Sequence, residues 1–169
     1  FGGIWGGQLQ RWRNGVFNSN NPTSPTAFLP NDDEPALLPF IAKMSDDLLE
    51  FAEKPREVQI LDERGKLLLA GDNERRFFEA AWVHKYNGKY YFSYSTGDTH
   101  FICYAIGDNP YGPFTYKGKI LNPVVGWTSH HSICEFKGKW YLFYHDSSLS
   151  KGVTHLRSIK IAEIQYDMD

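Results

Sequence analysis

The chain has 169 residues, long enough for one domain with a sizeable core, and a net charge of −2. That balance gives no basic field for nucleic acid, and no run approaches the 18 apolar residues of a membrane span. Aromatics are 16% of the residues (12 Phe, 10 Tyr, 5 Trp), a content that favours strands and flat-faced ligand sites such as those for carbohydrate.

The chain opens on Phe1 in what reads as mid-strand, with no initiator Met or signal peptide, as expected of a piece of a longer polypeptide. "FGGIWGGQLQRW" reads as a Gly-rich strand. It lacks the Lys and following helix of a phosphate-binding loop, while Trp5 and Gln8 are candidates to meet a sugar face. "NGVFNSNNPTSPTAFLPNDDEPAL" is a long polar loop, whose residues 18–35 could wall off one end of a channel or be a plain solvated insertion. In "MSDDLLEFAEKPREVQIL", Ser45-Asp46-Asp47 can cap a single turn before Pro55 stops it, and a strand is expected over 56–61.

The rest of the chain is organised by a repeat. "NGKYYFSYS" at 87–95 returns as "KGKWYLFYH" at 137–145, a shift of 50 residues. Each copy follows an apolar strand pattern (EAAWVHKY, HHSICEFK) and a Gly turn, and precedes a polar loop and another strand (HFICYAIG, THLRSIKIAEI). Units of about 50 residues built from three or four short antiparallel strands predict an all-β fold, a β-propeller of four-stranded antiparallel blades. The expected division is an incomplete blade with an inserted loop over 1–76, a blade over 77–122 and a blade over 123–169, with no second domain. Propellers close with four or more blades, so the others would come from the parent chain or a second chain. Cys103 and Cys134 lie in apolar alternating runs without metal-site spacing and read as buried free thiols. Neither a cytoplasmic nor a secreted location follows from them.

The repeat also points to a site. A shift of 50 from Glu79 lands on Ser129, beside His130 and His131, so the acid and the imidazoles take equivalent places near the axis of adjacent blades. Glu79 lies among Phe77, Phe78, Ala80, Ala81 and Trp82, and desolvation there predicts a raised pKa, as a general acid requires. A solvated Glu at a strand end is the plainer reading. Adjacent His130 and His131 point to opposite strand faces and cannot chelate one ion together. Arg157, placed on the strand face of His155, Ile159 and Ile161, calls for a carboxylate or a ligand hydroxyl, unless it is a surface Arg that merely snorkels. Asp98 and Asp146 sit in loops that can reach a ligand, although both residue types are ordinary in turns.

"FFEAAWVHKYNGKYYFSYSTG", "DNPYGPFTYKGKIL", "GWTSHHSICEFKGKWYLFYHDSS" and "HLRS" together resemble the C-terminal part of family 43 glycoside hydrolases. The resemblance implies a five-bladed propeller, of which about three blades are present, from an enzyme of the β-xylosidase or α-L-arabinofuranosidase type. It implies inverting hydrolysis of xylose- or arabinose-containing oligosaccharides, with exo action as the expected mode. Glu79 matches the family's general acid, His130 a channel His that sits beside a cation, often calcium, and Arg157 an Arg that contacts the sugar. No cofactor is implied as required. The family's base Asp and pKa-tuning Asp find no match here, so the chain alone should be inactive. A non-catalytic carbohydrate-binding propeller is the alternative.

Overall fold

A computed structural model describes residues 5, 9–13, 16–20, 24 and 26–167. Among these residues the fold is all-β, with helical geometry only in the three-residue 3₁₀ turns Leu9–Arg11 and Gly97–Thr99. The strands are β1 (Trp12–Arg13), β2 (Val16–Phe17), β3 (Phe40–Ile41), β4 (Arg56–Glu57), β5 (Ile60–Leu61), β6 (Glu79–Tyr86), β7 (Lys89–Ser95), β8 (Ile102–Gly107), β9 (Phe114–Leu121), β10 (His131–Phe136), β11 (Lys139–Asp146) and β12 (Ser158–Ile164).

The two copies of the repeat form matching hairpins, β6–β7 and β10–β11. Their turns are Asn87-Gly88 (φ 46° and 80°) and Lys137-Gly138 (φ 53° and 78°). Two successive residues with positive φ give the turn twist that matches right-twisted strands, so glycine at the second position has a direct use. The first hairpin continues through β8 and β9 into a four-stranded antiparallel sheet, and β5 adds to its outer edge in parallel. The second continues only to β12, making three strands. The sheets meet along their first strands: the Trp82 indole donates to the Ile133 carbonyl at 3.1 Å, and Ser93 Oγ lies 2.6 Å from His131 Nε2.

The segment before β6 departs from the expected strands. Leu9–Arg11 is a 3₁₀ turn where a Gly-rich strand was expected, and regular pairing is confined to two-residue ladders. The expected strand over 56–61 is interrupted because Val58 N–H turns to the Pro39 carbonyl while the Gln59 carbonyl accepts from Phe114. Ser45–Glu50 forms a turn, with Asp47 accepting from Ser45 Oγ and Leu49 N–H. This segment packs on the four-stranded sheet: Leu37, Phe40, Val58, Ile60 and Leu68 share one core with Phe77, Phe92, Tyr94 and Phe114. Truncating a ring such as Phe92 to Ala in such a core costs about 3–5 kcal/mol. The two thiols part company. Cys103 is buried, and desolvation pushes its pKa up to about 11. Cys134 is exposed, contrary to expectation, because it lies on the face of the last sheet turned away from β6.

Candidate active site

Glu79 opens β6 opposite Ser95, but the next regular pair is Trp82 with Ser93. The slip is a β-bulge, and within it Ala80 takes φ 59°, a left-handed conformation that a non-glycine residue enters at a cost. Bulges re-aim side chains, and this one turns Glu79 toward the loop that leads into β10. There Thr128 Oγ1 donates to Glu79 Oε1 at 3.2 Å, and His130 Nε2 lies 3.4 Å from the same oxygen. The carboxylate side chain is only 15% exposed.

His145, at the inner end of β11, fixes the other side. Its Nε2 accepts from His130 N–H at 3.0 Å and lies 3.4 Å from Arg157 Nη1. The His130 and His145 rings stack at 6.0 Å, and Ser129 Oγ donates to the His145 carbonyl. Burial and then the Arg157 charge hold the His145 pKa below its ordinary value, so this imidazole is a neutral acceptor. The structure thus brings Glu79, His130 and Arg157 into one cluster, joined by Thr128 and His145. Neither of these two was singled out in the sequence, although both lie in quoted motifs and Thr128 is the 50-residue equivalent of Phe78.

Two expectations need correction. The Glu79 pKa is lowered, not raised: the His130 hydrogen bond is the largest influence and overcomes desolvation, with the Thr128 donor and the Arg157 charge adding to it. Arg157 precedes β12 and does not lie on it. Its Nε donates to Thr154 O in an exposed loop, and its Nη1 lies 3.4 Å from His145 Nε2. The paired histidines do split as their spacing requires, since His131 packs between the sheets, where burial depresses its pKa to about 3.

The remaining candidates lie around this cluster. Trp5 N–H donates to the Phe78 carbonyl, and one face of its indole is covered by the Arg76 guanidinium at 3.9 Å. Asp98 is exposed in the 3₁₀ turn Gly97–Thr99 and acts on Arg76 through its charge. Gln8 lies outside the described residues. Asp146 caps its own loop by accepting from Ser148 and Ser158.

Antiparallel sheets that adjoin along their first strands, with ionisable groups gathered at the inner strand ends, are the build of a propeller-type enzyme. Residues 38–169 match the family described as Glycosyl hydrolases family 43. A xylosidase/arabinosidase of Bacteroides ovatus is 66% identical over 169 residues, covering 100% of this chain and 50% of its own length. A β-xylosidase of Xylanibacter ruminicola is 60% identical over 169 residues, covering 100% and 51%. Among solved structures, a β-xylosidase/α-arabinofuranosidase of this family from a compost microbial metagenome, in complex with xylotriose and in calcium-free form, superposes with a TM-score of 0.92. It is 65% identical and is matched over 99% of this chain and 50% of its own. The chain belongs to glycosyl hydrolase family 43. It spans about half the length of the curated relatives it matches.

Proposed function

We propose that this chain is the acid-bearing part of an inverting exo-glycosidase that releases xylose or arabinose units from oligosaccharides. The observation that carries the reading is the bulge-aimed Glu79 carboxyl, largely buried and held by Thr128 and His130 at the seam of the two sheets. Relatives at 66% and 60% identity bear the names xylosidase/arabinosidase and β-xylosidase. In the proposed division, residues 77–122 and 123–169 are two blades and residues 1–76 an incomplete third. The rest of the propeller comes from the other half of the relatives' length.

In the reaction, Glu79 gives its proton to the departing glycosidic oxygen as the bond to the anomeric carbon breaks. A base carboxylate on the opposite face, roughly 6.5–9.5 Å from the acid, takes a proton from the attacking water. Glu79 must be protonated to begin, yet within this chain its pKa is held down by positive neighbours. Nearby carboxylates raise one another's pKa, so the two acids expected from the remaining blades act in the required direction. In this reading Arg157 and His130 take sugar hydroxyls, with Trp5 and Asp98 as outer contacts.

Calcium takes six to eight oxygen ligands, and no group of three or more metal-binding side chains occurs among the described residues. Their one imidazole beside one carboxylate does not make a calcium cage, so the role of His130 as a cation contact rests on water and on groups from other blades. The proposed reaction passes no step through a metal and requires no cofactor.

Assay of 4-nitrophenyl β-xyloside and α-arabinofuranoside by the polypeptide carrying all blades tests the reading. Turnover of xylobiose by that polypeptide, whose sugar leaving group needs the proton, should fall about 10²–10⁴-fold in Glu79→Gln, and residues 1–169 alone should hydrolyse neither glycoside. A complete propeller that binds xylotriose without hydrolysing either glycoside would make this a sugar-binding module instead.

A further inference from the structure

Trp127 is a large aromatic side chain, 60% exposed, on the loop between β9 and β10. Its backbone is held on both sides. Ser147 N–H donates to the Val125 carbonyl at 2.7 Å, and Gly126 takes φ 122°, where a Cβ would meet Ser147 Oγ at 3.0 Å. On the other side, Thr128 Oγ1 donates to Glu79 Oε1 and lies 3.4 Å from Ser95 Oγ. The indole is braced edge-on by the His100 ring, with centroids 5.5 Å apart and planes at 73°. His100 itself sits at φ 60°, closing the turn that carries Asp98. An indole fixed in position with a free face is built to receive a flat, partly apolar surface.

We propose that Trp127 is the platform for the sugar on the leaving-group side of the scissile bond. This inference rests on Glu79 being the general acid. The acid must reach the glycosidic oxygen, so the leaving sugar lies directly beyond the Glu79 carboxyl. Trp127 is bonded in sequence to the residue that holds that carboxyl, and their Cα atoms are about 3.8 Å apart. A pyranose such as a xylosyl unit offers a face of C–H groups that can lie on the indole while its hydroxyls turn to Asp98 and solvent. The aromatic ring would thus select substrates with a sugar aglycone.

The test uses the complete protein and two substrates, xylobiose with a sugar aglycone and β-xylosyl fluoride with none. Trp127→Ala should lower the ratio of kcat/KM for xylobiose to that for the fluoride by roughly 10- to 100-fold, and Trp127→Phe should restore most of it. An unchanged ratio overturns the proposal, whether neither rate falls or both fall together, as when other blades cover the ring or it serves only the fold. Glu79→Gln separates the underlying reading, since the fluoride leaves without a proton: that variant should lose xylobiose hydrolysis and retain the fluoride. If Glu79→Gln spares both rates, calorimetric titration with xylotriose decides the platform alone. Affinity weakened roughly 10-fold by Trp127→Ala supports it, and unchanged affinity overturns it.

Discussion

The electrostatics at Glu79 are a contest between burial, which disfavours the charged carboxylate, and donors that favour it. Within this chain the donors win, with His130 first. Flanking Phe and Trp residues made the burial legible in sequence, and the 50-residue repeat brought His130 near the acid; that His130 and Thr128 donate to it was not legible, because they arrive from the next sheet, 51 and 49 residues away. Thr128→Val tests the balance in the complete enzyme. Loss of a hydrogen bond to the charged form raises the acid's pKa, so the alkaline limb of the kcat/KM profile should move to higher pH. A limb that stays in place or moves down would contradict a stabilising bond from Thr128 to the charged acid.

At the scale of elements, the repeat placed β6, β7, β10 and β11 well, because alternation and a glycine turn are local signals. The bulge at Ala80 had no such signal, since alanine carries no mark of positive φ. The strands before β6 were equally hard to read: their pairing is set by docking onto the sheet core, not by local pattern. Gly97 links the first large sheet to the site. It takes φ 73°, and a Cβ there would meet Phe78 Cγ at 2.2 Å, in the residue next to Glu79. Gly97→Ala should therefore destabilise the fold by roughly 2 kcal/mol or more and displace the acid. Thermal melts and activity at saturating substrate check the two effects. A variant with unchanged melting temperature and rate would contradict this packing.

For the whole molecule, the last sheet shows why part of the burial pattern was misread. Ile159 and Ile161, 78% and 61% exposed, share with Cys134 the face turned away from β6. Alternation predicts that such a face is buried but cannot say by what, and half the relatives' length lies outside this chain. A polypeptide of the remaining half, mixed with residues 1–169, should form a complex that Ile159→Lys with Ile161→Lys weakens, as read by size-exclusion chromatography. A complex unaffected by the double variant would place the contact elsewhere. Between the described sheets, burial holds His84 and His131 neutral, with pKa values depressed to about 4 and about 3. The unfolded chain takes up these protons near pH 6.5, well before the folded one. Stability should be full above that value and fall as pH drops toward 4, with a progressively lower Tm. His84→Gln should flatten part of that slope, and an unchanged slope would exclude His84 as its source.

The central claim is that Glu79 donates the proton to the leaving group. The most direct measurement is a series of aryl β-xylosides of graded leaving-group acidity, compared between the complete enzyme and its Glu79→Gln variant. If Glu79 is the acid, the variant should be hardly slower on the most acidic phenols and progressively slower on the least acidic, since only the latter need a proton. A uniform loss across the series, or none, would contradict the assignment.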